Sequence, residues 1–129
     1  AGSPLQQGAL SKRFDVQLDD PAMYWLSPQR KKQFRQLYAL LDETGISVTE
    51  MAIRFVISNP AVHTVLMGAR SAAEVESNVA AVEHGPLPAA ILERLDDIYA
   101  PVPYRPFGEP FGLGGRLGNP ASYKGPGRG

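Results

Sequence analysis

The sequence predicts an α/β fold, because short apolar runs bounded by glycine or proline alternate with longer segments of helical periodicity. The order along the chain is strand, two helices, strand, two helices. Capping residues stand at the expected starts of the first three helices. At 129 residues, the chain is long enough for one small domain, since domains commonly have roughly 100 to 150 residues.

The first element is expected to be a short strand that leads into a loop over residues 3–11. Its apolar pairs are Pro4-Leu5 and Ala9-Leu10. The segment from Ser11 to Leu26 mixes basic, acidic, aromatic and proline residues without a period. We therefore predict that it forms an irregular surface connection.

A first helix is predicted from Ser27-Pro28 to Gly45, because serine is a favoured N-cap, proline fits the first helical position and glycine ends helices. Its apolar residues recur at helical spacing: Phe34, Leu37, Leu40 and Leu41. A basic group lies on another face: Lys31, Lys32 and Arg35. One face should pack and the other should be solvated.

A second helix is predicted from Ser47 to Asn59-Pro60. The spacing from Ser47 to Glu50 is that of a capping box, and proline restricts the residue before it at the end. The stripe expected to be buried comprises Met51, Ala52, Phe55 and Val56.

The stretch from Val62 to Met67 predicts a buried strand of the parallel type, because it is a short run rich in β-branched residues. It passes through Gly68 into a helix from Ser71 to about Glu83. A helix start carries unpaired N–H groups and partial positive charge, so it can hold a phosphate or nucleotide. An ordinary strand-to-helix turn has the same local features, and both interpretations remain open at this point.

The segment Gly85-Pro86-Leu87-Pro88 interrupts the chain before a last amphipathic helix that ends near Tyr99. Its apolar residues are Ile91, Leu92, Leu95 and Ile98. The last 29 residues contain eight of the 13 glycines and six of the 12 prolines, so we expect no regular structure there.

Composition excludes several function classes. Lysine plus arginine and aspartate plus glutamate both number 13, and this balance argues against a nucleic-acid or membrane-surface protein. The absence of cysteine excludes disulfides and thiolate metal sites, and predicts a cytoplasmic protein. His63 and His84 stand apart from other potential ligands, so structural roles are expected and no metal site is predicted.

Two segments resemble the aldo-keto reductase family. Ser3–Ser11 is similar to its "SPLAxGxLSGK" segment, and Leu66–Asn78 is similar to its "IxGARxxxQLxEN" segment. The branch most similar includes bacterial sugar and aldehyde oxidoreductases and potassium-channel beta subunits. The resemblance implies that residues 1–100 form the C-terminal part of a TIM (β/α)8 barrel, about its last two strands with their helices, because such barrels need roughly 250 residues. Residues 101–129 would be a C-terminal loop or tail, whose Tyr104, Phe107 and Phe111 would close the substrate pocket.

The resemblance also implies a cofactor site for NADP or NAD. The residues that would line the pyrophosphate are Ser3, Pro4, Leu5 and Gln6, and Arg13 would stand near the adenosine phosphate. The residues that would surround the adenine and its ribose are Gly68, Arg70, Glu74 and Asn78.

Glu74 departs from the family pattern, which commonly has glutamine or arginine at this position. A carboxylate repels the 2'-phosphate of NADP and can accept hydrogen bonds from the ribose hydroxyls of NAD. Arg13 and Arg70 favour NADP, although they could also neutralise the glutamate. We therefore leave the choice of cofactor open and expect a preference below about a hundredfold, some 2.7 kcal/mol.

The resemblance implies a complete protein that transfers hydride between nicotinamide and an aldehyde, ketone or sugar carbonyl or alcohol. No residue here matches the family's catalytic aspartate, tyrosine, lysine and histidine, so this chain alone is expected to be inactive. Two other functions remain open: a non-enzymatic NAD(P)-binding regulatory module of the channel beta-subunit type, and an independent small phosphate-binding α/β domain. The sequence does not determine the substrate or the oligomeric state.

Overall fold

Four α helices form the framework in the computed structural model, which describes residues 1–5, 8–15, 17–21 and 27–102. The helices are α1 (Pro28–Thr44), α2 (Val48–Ile57), α3 (Ala72–Glu83) and α4 (Ala89–Tyr99), and a short 3-10 helix spans Gln17–Asp19. All four predicted helices are therefore present. The Gly/Pro-rich tail, with the predicted pocket residues Tyr104, Phe107 and Phe111, lies outside the described residues from position 103 onward.

The ends of α1 are those that its sequence predicts. The Ser27 side chain accepts a hydrogen bond from the backbone N–H of Arg30 at 3.1 Å, and Pro28 occupies the first turn. Gly45 adopts a left-handed conformation with φ 68°, and its N–H donates to the carbonyl of Leu41 at 2.9 Å. These contacts satisfy backbone groups that a helix would otherwise leave unpaired.

α2 also has its predicted N-cap, since the Ser47 side chain accepts from the backbone N–H of Glu50 at 3.1 Å, while the Glu50 carboxylate pairs with Arg54 and His84. Its buried stripe differs from the prediction at two positions. Met51 and Ala52 are buried, but Phe55 is 47 % exposed and Val56 is only partly buried, so the expectation for these two is wrong. Phe55 and Val56 lie in the last turn of α2, and Ile53 is buried instead.

The two predicted strands do not form in the described part of the chain. A single parallel bridge joins Gly2 to Leu66, and the N–H of Leu66 donates to the carbonyl of Ala1 at 2.9 Å. Ser3, with φ 55°, turns the backbone out of the extended conformation directly after the bridge, so the ladder stops. The predicted burial of Val62–Met67 is also wrong, because Leu66 is 70 % exposed and no described strand flanks the bridge on its other side.

The core lies between α1, α2, α4 and the connection that precedes α1. The predicted surface connection is partly wrong, because Phe14 and Leu18 from it are 6 % and 1 % exposed. The cluster of buried residues comprises Phe14, Leu18, Tyr38, Leu40, Leu41, Val48, Met51 and Leu87. Partly buried leucines and isoleucines of α4 pack against this cluster. The core therefore joins three helices and the early part of the chain.

A buried amide fixes α4 to α1. Gln33 is 7 % exposed, and its side-chain nitrogen donates to the carbonyls of Ile98 at 2.8 Å, Tyr99 at 3.0 Å and Val102 at 3.3 Å. Its side-chain oxygen accepts from the guanidinium of Arg30 at 2.9 Å. One side chain of α1 thus supplies hydrogen bonds to the C-terminal end of α4, where a helix leaves carbonyl groups without intrahelical donors.

Candidate functional site

The bridge between Gly2 and Leu66 brings the two predicted cofactor segments together. Because the pairing is parallel, both chains leave the bridge in the same direction. Ser3 follows Gly2 directly, and Gly68 lies two residues after Leu66. The first residues of each segment therefore lie at the same edge, although more than 60 residues separate them in sequence.

The segment after the bridge is a tight turn. Ser3 is exposed and adopts a left-handed backbone, while Pro4 and Leu5 are half-buried. The carbonyl of Leu5 accepts hydrogen bonds from the N–H groups of Gly8 at 2.9 Å and Leu10 at 3.1 Å. A left-handed serine is uncommon and carries a cost in backbone strain, which surrounding structure must hold in place. Gln6 lies outside the described residues.

Gly68 provides open space in front of α3. A Cβ atom added at this position would meet no atom within 4 Å. Its backbone is not in the left-handed region that would itself require glycine, so the fold alone does not explain the residue. Without a side chain, a ligand can approach this backbone closely.

The start of α3 carries an internal ion pair. The Ser71 side chain accepts from the backbone N–H of Glu74 at 3.2 Å. One oxygen of the Glu74 carboxylate accepts from the backbone N–H of Arg70 at 2.7 Å, and the other accepts from the Arg70 guanidinium at 3.1 and 3.3 Å. The predicted capping box is thus shifted by one residue, because the carboxylate binds the N–H of Arg70 in place of that of Ser71.

The charge of Glu74 is favoured by these contacts. The hydrogen bond from the Arg70 backbone, followed by that from its side chain, lowers the pKa of the Glu74 carboxyl below its ordinary value. In the part of the chain that the structure describes, the N–H groups of Ala72 and Ala73 have no backbone or side-chain acceptor. Asn78 lies one turn after Glu74 on the same helical face and is half-buried.

Arg13 is held against α1. Its guanidinium pairs with the carboxylate of Asp15 at 2.7 and 2.9 Å and with that of Asp42, and it lies 4.8 Å from the ring centre of Tyr38. The Tyr38 hydroxyl accepts from the backbone N–H of Phe14 at 3.0 Å, which fixes the same segment. The hydrogen bonds that the Arg13 guanidinium donates to Asp15 and Asp42 raise its pKa. No hydrogen bond joins Arg13 to α3 among the described residues.

Asp15, Tyr38 and Asp42 were not anticipated as neighbours of this site. The spacing of Tyr38 and Asp42 on α1 is a partial signal, since residues four apart share a helical face. Nothing in the sequence indicated that the preceding connection would cross this face. Arg13, which was predicted to stand near the adenosine phosphate, is therefore bound by two carboxylates of the chain itself.

The two histidines differ in their surroundings. His63 is exposed, whereas Nδ1 of His84 lies 2.9 Å from the Glu50 carboxylate. Glu50 also accepts from Arg54 at 3.0 Å, and the Arg54 Nε donates to the carbonyl of Gly85 at 2.8 Å. This polar cluster ties α2 to the end of α3. Residues of the metal-ligating types do not gather in threes within the described ranges, and no helix there has the length and hydropathy to cross a membrane.

Comparison with known proteins agrees with the two motifs. The Aldo/keto reductase family matches residues 1–100. L-galactose dehydrogenase of Arabidopsis thaliana is 30 % identical over 82 residues, which cover 64 % of this chain and 24 % of the relative. A probable voltage-gated potassium channel subunit beta of the same plant is 32 % identical over 71 residues, which cover 54 % and 22 %.

The chain thus spans about a quarter of the length of these curated relatives. Members of this family are generally NAD(P)H-dependent oxidoreductases. With its family match over residues 1–100, the chain belongs to the aldo/keto reductase family.

Proposed function

We propose that this chain binds the adenosine and pyrophosphate end of NAD or NADP in an oxidoreductase that acts on an aldehyde, ketone or sugar carbonyl or alcohol. The observation that carries the proposal is the parallel bridge, which puts Ser3 and Gly68 at one edge in a chain of this family. The nicotinamide ring of the bound cofactor would supply the hydride to a carbonyl or accept it from an alcohol.

The residues at this edge fit an anionic cofactor. Ala72 and Ala73 offer N–H groups at the start of α3, where the helix dipole favours negative charge. The space at Gly68 admits close contact with its backbone. Ser3 is exposed directly after the bridge, and Asn78 offers an amide one turn beyond Glu74 on α3.

We further propose that residues 1–100 are the C-terminal part of a TIM barrel and that residues 101–129 follow it as a tail. The apolar surface of α3 supports this architecture. Val75, Val79 and Val82 recur at helical spacing and are 50 %, 51 % and 51 % exposed. Large side chains in such a row normally pack against other elements, and the chain accounts for only a quarter of its relatives' length.

Cofactor binding tests the proposal. In the protein expressed from its complete reading frame, NADH and NADPH binding can be followed by the fluorescence of the reduced nicotinamide. Gly68→Val should weaken the tighter-binding cofactor at least tenfold, because its side chain occupies the open space. Ala90→Val adds two methyl groups at an exposed position of α4 and should leave affinity unchanged. Equal affinities in the two variants would contradict this placement of the cofactor.

A turnover assay tests whether the chain has enzymatic activity on its own. Residues 1–129 alone, mixed with NADPH and a reactive aldehyde, should not oxidise the cofactor, because no residue matches the family's proton-donating tyrosine. Oxidation at the rate of an ordinary enzyme, about 10 turnovers per second, would refute this proposal.

A non-enzymatic regulatory module is the second candidate, and the similarity to the channel subunit beta supports it. The complete protein would then bind the cofactor without turnover of any carbonyl substrate. A tyrosine and a lysine on the expected barrel strands of the complete sequence would favour the enzyme, and their absence would favour the module.

A further inference from the structure

We propose that Arg54 is a positioning residue: its guanidinium holds the C-terminal end of α3 and thereby fixes where the cofactor-binding edge stands. This inference rests on the proposed function. Arg54 lies on α2, outside the residues predicted to contact the cofactor. Its side chain is 13 % exposed, so its hydrogen bonds are largely shielded from water.

The guanidinium of Arg54 binds three acceptors. Its Nε donates to the carbonyl of Gly85 at 2.8 Å, and one terminal nitrogen donates to the carbonyl of Pro86 at 3.2 Å. The other terminal nitrogen donates to the Glu50 carboxylate at 3.0 Å. Because the donors of arginine form a rigid planar fork, they hold two consecutive carbonyls of the turn at 84–87 in one arrangement.

Two further side chains of α2 bind the same turn. The Glu50 oxygen that accepts from Arg54 also lies 2.9 Å from Nδ1 of His84. The Ser58 hydroxyl accepts from the N–H of Leu87 at 2.9 Å and donates to the carbonyl of Arg54 at 2.7 Å. Every residue of the turn is therefore bound by a side chain of α2.

The start of α3 has no comparable contacts. In the part of the chain that the structure describes, residues 68–80 form no hydrogen bond to another element. Residues 68–73 are exposed, whereas Ala81, near the other end of α3, is 3 % exposed. The bridge at Leu66 precedes the helix. The polar contacts that set the direction of α3 thus lie at its C-terminal end.

A small rotation at the anchored end becomes a large displacement at the other end. α3 has 12 residues, so it is about 18 Å long. A tilt of about 10° at the turn would move the start of α3 by about 3 Å, and Gly68 lies just before that start. A misplacement of about 1 Å can cost roughly a hundredfold in rate, so Arg54 can act on the cofactor without touching it.

Arg54→Met is the direct test, because methionine is also long and unbranched but has no donor. Arg54→Lys keeps the charge without the planar fork and should restore part of the effect. Arg94→Met is the matched control. Arg94 donates to Glu43 at 3.1 Å and joins α4 to α1, so this variant also removes an arginine pair between helices, but one that does not include α3.

Amide hydrogen exchange on the protein expressed from its complete reading frame, without cofactor, measures how firmly α3 is held. In Arg54→Met, the amides of α3 should exchange at least tenfold faster than in the wild type, and those of α1 less than threefold faster. The dissociation constant of the tighter-binding cofactor, followed by the fluorescence of reduced nicotinamide, should rise at least fivefold. Arg54→Lys should give intermediate values of both quantities, and Arg94→Met should change neither more than twofold.

Unchanged exchange of α3 in Arg54→Met would overturn the inference, because other contacts would then hold the helix. Equal acceleration in α1 and α3 would also overturn it, since Arg54 would then stabilise the fold as a whole, and so would faster exchange with unchanged affinity. If Arg54→Met does not fold, Ser58→Ala removes the acceptor of the Leu87 N–H and is judged by the same criteria. Failure of both cofactors to bind the wild type would instead refute the proposed function, and the exchange rates would still decide whether Arg54 holds α3.

Discussion

Replacing Gln33 by leucine should lower the free energy of unfolding by about 2–4 kcal/mol. The side chain is 7 % exposed and its nitrogen donates to three carbonyls at and beyond the end of α4. Leucine has a similar size but no donor, so the substitution removes these hydrogen bonds without opening a large cavity. The change therefore isolates the polar contribution of the residue.

The expected loss of unfolding free energy follows from the hydrogen-bond donors that remain for the three carbonyls. The carbonyl of Tyr99 keeps a hydrogen bond from the N–H of Val102 at 3.1 Å. The carbonyls of Ile98 and Val102 lose the donor that Gln33 supplied. A buried polar group left without a partner costs about 1–3 kcal/mol, so two such groups would cost about 2–6 kcal/mol, and the part-buried position of the Ile98 bond favours the lower part of that range.

Urea unfolding followed by far-UV circular dichroism measures the effect. Gln36→Leu is the matched control, because Gln36 is exposed on the same helix and its replacement should change stability by less than about 0.5 kcal/mol. If Gln33→Leu and Gln36→Leu have the same midpoint, the buried amide does not hold α4 in place and the reasoning fails.

Three further changes test other parts of the fold. Leu40→Ala should cost about 2–5 kcal/mol in urea unfolding, because Leu40 is fully buried; a loss below about 1 kcal/mol would mean that the core collapses around it. Ser27→Ala should cost about 0.5–2 kcal/mol through the lost N-cap bond to Arg30, and an unchanged unfolding midpoint would show that this bond does not stabilise α1. Burial raises the pKa of the Glu50 carboxyl, but hydrogen bonds from His84 and Arg54 outweigh it and leave the pKa below its ordinary 4.5. The ionised Glu50 carboxylate therefore stabilises the fold above pH 4.5, and this stabilisation is lost as the pH falls below that value. As the pH is lowered, the melting temperature should decline less steeply in Glu50→Gln than in the wild type.

The helices were predictable because their signals are local. Ser27, Ser47 and Ser71 each accept from the N–H three residues later, as their positions in the sequence indicate. A cap, a proline and an apolar period involve residues within a few turns of one another. Such features do not depend on what lies elsewhere in the chain.

The strand predictions were wrong because strand formation depends on residues that are distant in sequence. The stretch from Val62 to Met67 has strand composition, but a strand also needs neighbours that pair with it along its length. Here Ser3 turns the partner segment away after one bridge. Composition alone therefore indicated two segments that take part in backbone pairing, but not how many residues of each would pair.

The contacts of the candidate site were only partly predictable. The pairing of Arg70 with Glu74 has the spacing of a helical ion pair and could be anticipated. The two carboxylates on Arg13 could not, because Asp42 is 29 residues away and reaches it through the packing of Phe14 against α1. Whether an arginine is available to a ligand depends on such tertiary neighbours.

The bridge between Gly2 and Leu66 limits which changes of length the chain can tolerate. The spacing from Gly2 to Ser3 and from Leu66 to Gly68 sets how the two segments face one another. Deleting one residue between Leu66 and Gly68 would move Gly68 by about 3.3 Å and reverse the side of the backbone that it presents. Insertions in the loop between α1 and α2 leave that alignment intact, so homologues should vary in length there and keep both short spacings fixed.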